Sequence, residues 1–191
     1  MHPPKQFNHI ICDSNFSSFL DLSSFGYKKH YQLKPDIKIS LGSNKDFENK
    51  KTYQIGDEYS YFHYVDVGLF EILKGKEIIV HPAKGVNLER LKEVLLGFPI
   101  ALCFSHKNKL VLHASCIKIS NKVVMFCGQS SSGKSTLASY GLKIGAEIYS
   151  EDICILDSKN YVLPNCNFLK LSEDAKKTAN IGEKNFIGSG T

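Results

Sequence analysis

One nine-residue stretch carries residue types and spacing that do recognisable chemistry: Gly128-Gln-Ser-Ser-Ser-Gly133-Lys134-Ser135-Thr136. It fits G-x-x-x-x-G-K-[ST], the phosphate-binding loop, and each fixed position has a mechanical reason. Glycine at 128 and 133 permits backbone conformations and close approaches that a Cβ would block. The loop can then turn successive N–H groups, from Gly128 through Gln129, Ser130, Ser131, Ser132 and on to Thr136, toward phosphate oxygens. Lys134 supplies a point charge for the β- and γ-phosphates, and the Ser135 hydroxyl is placed to ligate Mg²⁺. A helix expected from about Lys134 adds the positive end of its dipole beneath them.

Two further places hold residue types whose chemistry could serve a bound phosphate. Glu151 and Asp152 lie in Glu147-Ile-Tyr-Ser-Glu-Asp-Ile-Cys-Ile-Leu-Asp157, which reads as a strand, a two-carboxylate step and a second strand. Adjacent carboxylates can divide the labour, one ordering Mg²⁺ and the other accepting a proton from an attacking hydroxyl. The bland alternative is a solvated acidic turn. Position directly after the loop's helix favours function for Glu151-Asp152, whereas Asp157 reads as a plain turn. His113, in Val111-Leu-His-Ala-Ser115, reads on its own as a satisfied core histidine of an apolar strand. The remaining histidines (His2, His9, His30, His63, His81, His106) show no metal-ligand spacing, so no structural zinc is expected.

The elements that must position these groups are legible around them. Lys122-Val-Val-Met-Phe-Cys127 is an apolar run short enough for a buried strand. After the loop, Leu137, Tyr140 and Ile144 recur near helical spacing, with Gly145 as the expected C-terminal cap. Strand, glycine loop and helix in that order are the context the motif requires.

The 191 residues, net charge of +5 and 42% hydrophobic content suit one or two small folded domains. The positive charge is scattered, and the nearest thing to a basic cluster (Lys45, Lys50, Lys51) reads as a solvated surface, not a nucleic-acid face. Cys12, Cys103, Cys116, Cys127, Cys154 and Cys166 contain no C-x-x-C, and several fall in apolar runs. They read as reduced thiols in a reducing cytoplasm. The start Met-His-Pro-Pro-Lys-Gln lacks a secretory apolar segment and no run is long enough for a bilayer, so no membrane partner is expected.

Taken in order, Phe7, Phe16, Phe19 and Leu20 are available for packing. Tyr31, Leu33, Ile37, Ile39 and Leu41 alternate as strands interrupted by Pro35, before a turn or loop at Gly42 to Asp46. Tyr59 to Val65 is an aromatic strand, with Tyr59, Tyr61 and His63 on one face and Phe62 and Tyr64 on the other. Sheet packing is its favoured role. Residues 68–80 read as a hairpin turning at Gly75. Asn87 is a helix N-cap before Leu88, Leu91, Val94 and Leu95, and Gly97 with Pro99 is the expected stop. Ile100–Phe104 and Leu110–Ile119 read as two strands joined around Lys107-Asn108. The expected organisation is a strand-rich N-terminal domain over 1–97 ending in a helix, followed by a nucleotide-binding domain over 98–191.

Leu112-His-Ala-Ser115, the strand Val123–Cys127, the phosphate loop and Gly145-Ala-Glu-Ile-Tyr-Ser-Glu-Asp152 together resemble the HPr serine kinase-like family, with its LHAS, G-x-S-x-x-GKST and S-D-D motifs. Asp66-Val-Gly-Leu-Phe-Glu-Ile72 and Leu95-Leu-Gly97 resemble the segment before the core in that family's smaller members. The resemblance covers roughly 66–171. It implies an α/β (α+β) protein whose P-loop kinase core is related to phosphoenolpyruvate carboxykinase and uses ATP and Mg²⁺ to phosphorylate a serine-type hydroxyl of a protein or precursor peptide.

Carried over by position, Lys134 would hold the β/γ-phosphates and Ser135 the metal. Glu151 and Asp152 would supply a base and a metal contact, and His113 would lie beside the transferring phosphate. Two departures stand out. Glu151 replaces the first of the family's paired aspartates, which leaves Asp152 as the expected essential carboxylate. The stretch Asn180 to Thr191 stops where the family's catalytic domain continues, so a C-terminally shortened core is expected. The alternatives are a small-molecule kinase and a non-catalytic ATP-binding regulatory module. An oligomer is compatible with the sequence.

Overall fold

A computed structural model describes residues 6–27, 34–43, 52–165, 169–171 and 186–188. The expected strand positions Tyr31 and Leu33, the lysines 45, 50 and 51, and Cys166, His2 and His30 lie outside the described residues. The protein is mixed α/β, rich in strands with few helices, and divides into two units, Met1–Lys109 and Leu110–Thr191. Among the described residues no helix is long and apolar enough to cross a membrane.

The first unit is built on a seven-stranded sheet in the order β1-β2-β3-β7-β6-β5-β4. β1 (Phe7–Ile11) and β2 (Ser14–Ser18) form a tight hairpin whose two central turn residues, Cys12 and Asp13, both take positive φ. That is the mirror-image turn whose twist matches the flanking strands. β3 (Ile37–Leu41) runs parallel to β2 on one side and to β7 (Glu77–Pro82) on the other. The alternation Ile37, Ile39 seen in sequence faces the core, and both side chains are buried.

β6 (Gly68–Leu73) and β7 form the expected hairpin, with Lys74 and Gly75 at positive φ in its turn. β5 (Tyr59–Tyr64) pairs antiparallel with β6, and the two-residue β4 (Tyr53–Gln54) edges the sheet. The aromatic faces separate as the pleat requires, with Tyr59 against Tyr61 and Phe62 against Tyr64. Packing is their role: Phe62 meets Phe98 edge-on at 5.0 Å between centroids.

A polar network crosses this apolar sheet. Glu71 accepts from the Tyr59 hydroxyl at 2.8 Å and lies 2.7 Å from His81 Nε2, while the other ring nitrogen of His81 meets the Ser43 carbonyl. Partial burial and the bond to Glu71 push the Tyr59 phenol up to about 12, so it stays a donor at neutral pH. Gly42 lets the backbone press on the His81 ring, where a Cβ would collide.

α1 (Leu88–Leu95) begins at the expected cap: Asn87 Oδ1 accepts from the N–H groups of Glu89 and Arg90 at 2.9 and 3.2 Å. Leu91, Val94 and Leu95 are buried, but Leu88 is exposed. Beyond Gly97 the structure corrects the sequence reading. Residues expected as a strand, Ile100–Phe104, lie in α2 (Phe98–Ser105), and Pro99 opens that helix instead of stopping the one before. Proline is tolerated in a first turn, where its missing N–H would have no intrahelical partner. A short, uniformly apolar run also has no period by which strand and helix differ. α2 packs on β5, β6 and β7, so the division between units falls after this helix and not near Gly97. Burial pushes the Cys103 thiol within it up to about 12.

In the second unit the expected long strand Leu110–Ile119 is broken at His113. β8 (Leu110–Leu112) belongs to a sheet ordered β13-β12-β8, and β9 (Ala114–Ile119) to one ordered β10-β9-β11. β10 (Lys122–Cys127) returns antiparallel along β9 and leads into the phosphate loop. It is an edge strand with Val123 and Val124 exposed, where the sequence had suggested a buried one.

α3 (Lys134–Lys143) follows the loop, and Gly145 closes it at a φ of 84° as expected. The face it buries differs from expectation. Leu137, Tyr140 and Ile144 are exposed, Ile144 by 73%, while Ala138, Ser139 and Gly141 are buried. Small residues let the helix approach the sheet closely, with the Ile117 side chain reaching the Gly141 backbone. β11 (Glu147–Ser150), β12 (Cys154–Leu156) and β13 (Val162–Leu163) complete the site's scaffold, and β14 (Leu169–Leu171) pairs with β15 (Phe186–Gly188). Asp157 caps a turn, accepting from the N–H groups of Lys159 and Tyr161.

Two substitutions separate a surface cap from the buried network. Asn87→Ala should cost about 1 kcal/mol. Glu71→Ala should cost about 3 kcal/mol, because it strips a buried histidine and a phenol of a shared acceptor. Urea unfolding curves compare the two, and an equal or smaller loss for Glu71→Ala would remove the network from the fold's supports.

Candidate functional site

The second unit brings the phosphate loop, His113 and the Glu151-Asp152 step around one end of the β9-centred sheet. β9 is flanked by β10 and β11, so the ends of those strands deliver the loop on one side and the carboxylates on the other. Gly128 to Ser132 are exposed, and the Ser132 N–H closes a turn on the Gln129 carbonyl at 3.2 Å. Ser131 and Gly133 take positive φ, at 62° and 88°. Gly133 is the N-cap of α3, and its left-handed backbone is the conformation for which glycine is suited. At Gly128 a Cβ would come within 2.6 Å of the Ser132 hydroxyl, so a larger residue there would have to turn that side chain aside.

Lys134 is buried to 7% exposure, and its ammonium donates to the Gln129 carbonyl at 2.8 Å. A cation held against the loop's own backbone is positioned by that contact and not left to sample solvent. Ser135, one residue on, donates from Oγ to Glu151 Oε1 at 2.5 Å. Ser115 Oγ lies 3.4 Å from the same Ser135 oxygen. The Thr136 carbonyl in the first turn of α3 accepts from Ser139 Oγ at 2.6 Å.

The two carboxylates separate. Glu151 is buried and faces Ser135, whereas Asp152 is 39% exposed and faces His113, with Oδ1 3.3 Å from Nε2. His113 is 53% exposed, because it occupies the break between β8 and β9. That placement replaces the core-histidine reading: it lines an accessible carboxylate. Asp152 has a φ of 68°, and the Ile153 N–H bonds back to the Glu151 carbonyl at 2.8 Å, so Asp152 sits at the apex of a three-residue turn. Such turns are rare and strained. The turn is clamped by Ser150 Oγ and Asn165 Nδ2, both donating to the Ile153 carbonyl. A non-glycine residue held at positive φ by its surroundings is a recurring mark of functional sites.

Chemically, the arrangement offers an exposed glycine-serine loop with a buried lysine against it, a hydroxyl–carboxylate pair, and an exposed carboxylate–imidazole pair. Among the described residues no group of three or more His, Cys, Asp and Glu is placed to hold a metal. Mg²⁺ asks for less, since it keeps several waters and takes one or two protein oxygens plus substrate phosphates. Ser135 Oγ and Glu151 fit that requirement, with an oxygen pair already gathered at one point. Ser115 is the participant that sequence reasoning passed over. It adjoins His113 by one residue, and alternation along β9 was the signal that could have turned it toward the loop.

Two backbone substitutions test the strained positions. Gly133→Ala meets no atom within 4 Å, so its cost of about 1 kcal/mol would be backbone strain alone. Asp152→Gly relieves a positive φ and should melt no lower than wild type despite losing a carboxylate. A scanning-calorimetry trace with Asp152→Gly melting well below Gly133→Ala would contradict the strain assigned to this turn. As to relatives, no protein-family model, curated protein or solved structure matches the chain.

Proposed function

We propose that the protein is an ATP- and Mg²⁺-dependent kinase of the HPr-kinase-like class, transferring the γ-phosphoryl group to a serine-type hydroxyl of a protein or precursor peptide. The observation that carries the reading is the divided carboxylate pair beside a phosphate loop: Glu151 on Ser135, Asp152 on His113. On this reading the second unit is a P-loop kinase core of the phosphoenolpyruvate carboxykinase-like type.

Each residue then has a role. The loop N–H groups and the Lys134 ammonium bind the β- and γ-phosphate oxygens, and the start of α3 adds its dipole. Ser135 and Glu151 hold the cation, whose contribution when bound is to neutralise charge on the phosphates. Asp152, accessible and oriented by His113, accepts the proton of the acceptor hydroxyl as its oxygen bonds to the γ-phosphorus and the bond to the β-phosphate oxygen breaks, releasing ADP. Positioning and charge stabilisation do most of the work in such transfers. On this reading His113, 3.3 Å from Asp152, would lie beside the transferring group and orient the base.

The carboxylate–imidazole pair also favours catalysis over a purely regulatory ATP-binding module, since a switch that only binds nucleotide has no use for an exposed base. A small-molecule acceptor would use the same residues, and the acceptor screen below separates it from a peptide.

The test is a thermal-shift titration with ATP, with and without Mg²⁺, followed by transfer of labelled γ-phosphate to serine-containing peptides and small alcohols. Ligand that binds only the folded form must raise the melting temperature by mass action. Wild type should show a Mg²⁺-dependent rise, Lys134→Ala should lose it, and Glu151→Gln should keep an ATP response with a weakened Mg²⁺ requirement. Asp152→Asn should bind Mg-ATP yet lose at least about a hundredfold in transfer, the scale of a general base. Asparagine tolerates positive φ, so that variant isolates the charge from the turn. Wild-type turnover in Lys134→Ala or Asp152→Asn would sink the mechanism.

A further inference from the structure

Beneath the site lies a feature that phosphoryl transfer does not use. Cys116 and Cys154 are both fully buried, and their sulfurs stand 3.2 Å apart. They come from different sheets: Cys116 from β9, one residue after Ser115, and Cys154 from β12, two residues after Asp152. The Cys154 thiol donates to the Ala114 carbonyl at 3.2 Å, so the sulfur–sulfur contact is completed by the Cys116 thiol donating to Cys154. Around them are Ala114, Leu112, Met125, Tyr149 and Val162. A second small hydrophobe would pack there equally well without reactive sulfur.

We propose that Cys116 and Cys154 are an oxidation site for small hydroperoxides, at which a disulfide ties β9 to β12 and loosens the phosphate site above. Both sulfurs are free thiols in the structure. Closing a disulfide brings them to about 2.05 Å, a movement of about 1 Å. The reaction balances with one hydroperoxide. The Cys154 sulfur attacks the O–O bond, giving a sulfenic acid and releasing the alcohol, or water from hydrogen peroxide. The Cys116 sulfur then attacks Cys154 Sγ, and hydroxide leaves with the thiol proton as water. Two thiols and one hydroperoxide give one disulfide, one alcohol and one water.

Access is by local opening. β12 spans three residues and β13 two, so few ladder hydrogen bonds hold this edge over the pair. A disulfide in a protein kept reduced is transient and belongs with redox sensing more than with stability. Its consequence follows from position. Drawing β9 toward β12 displaces Ser115, which touches Ser135, and the Asp152 turn, which is clamped through the residue preceding Cys154. Cys127 is the internal control: it is a free, exposed cysteine at the entrance to the phosphate loop.

The regulatory half of this inference rests on the proposed nucleotide site; the disulfide does not. The full chain is treated with hydrogen peroxide at low excess, alkylated, and digested without reductant for peptide mass mapping. A linked Cys116–Cys154 peptide and a loss of two free thiols are expected, with Cys116→Ser and Cys154→Ser each abolishing the link. The Mg-ATP-dependent rise in melting temperature should shrink on oxidation, return with dithiothreitol, and stay constant in Cys116→Ser. Oxidation confined to Cys127, with Cys116 and Cys154 recovered as alkylated thiols, would overturn the site. A linked peptide with an unchanged nucleotide response would overturn the regulation. Reduced wild type with no Mg-ATP response would sink the kinase reading instead, and the peptide map would still decide the disulfide.

Discussion

The contact between Ser135 Oγ and Glu151 Oε1 is the constraint on which the second unit's arrangement depends. It joins the first turn of α3 to the step between β11 and β12, two segments that share no strand pairing. A buried carboxylate is costly unless it finds donors, and the serine hydroxyl supplies one. Everything nearby serves to bring these groups together. Gly133 turns the chain so that Ser135 points back, Ala138 and Gly141 allow α3 to lie close on β9, and the Asp152 turn fixes where Glu151 ends. Larger residues along the buried face of α3 would hold it off the sheet and part the pair.

The first unit depends on a different compromise. Its sheet mixes parallel pairings on both sides of β3 with a hairpin at one end and a meander at the other, and β6, inside the meander, is buried along nearly its whole length. Into that core the chain places Glu71 and His81, and offsets their burial by giving each a defined partner. Apolar packing alone would accept a slipped register of β6 against β7. A carboxylate that must meet an imidazole across two strands accepts one register only, because a slip by one residue turns the side chain to the other face.

How much of this was legible in the sequence varied with the kind of signal. Elements carrying a geometric requirement were readable: Gly75 in its hairpin, Asn87 at its cap, Gly145 after α3, and the glycine loop between β10 and α3. In each, one residue type satisfies a backbone or hydrogen-bonding need that few others can. Elements carrying only hydrophobicity were misread. Ile100–Phe104 looked like a strand because a short, mostly apolar run shows no period, and the face of α3 was inverted because Ala138 and Gly141, with Leu142 beside them, make its contact. β10 looked buried because apolar content predicts burial only when something covers it. The break at His113 left no local signal, since Leu112 and Ala114 would continue a strand. It arises because β8 finds β12 while β9 finds β10 and β11.

The separation of Glu151 from Asp152 follows from the same kind of reasoning. Neighbouring side chains on an extended segment point to opposite sides, so two consecutive carboxylates cannot both face the phosphate loop from a regular strand. The chain instead ends β11 at Ser150 and turns sharply at Asp152. Glu151 goes inward to Ser135, and Asp152 is lifted to the surface beside His113. Seen this way, a glutamate at the first position has a physical sense. The inward group must span from the strand end to the first turn of α3, a reach in which an added methylene is useful. The outward group stands at the apex of a tight turn, where a short side chain keeps its carboxylate close to the backbone that orients it. Exchanging the two would leave the inner acid short of the serine and the outer one free to swing away from the imidazole.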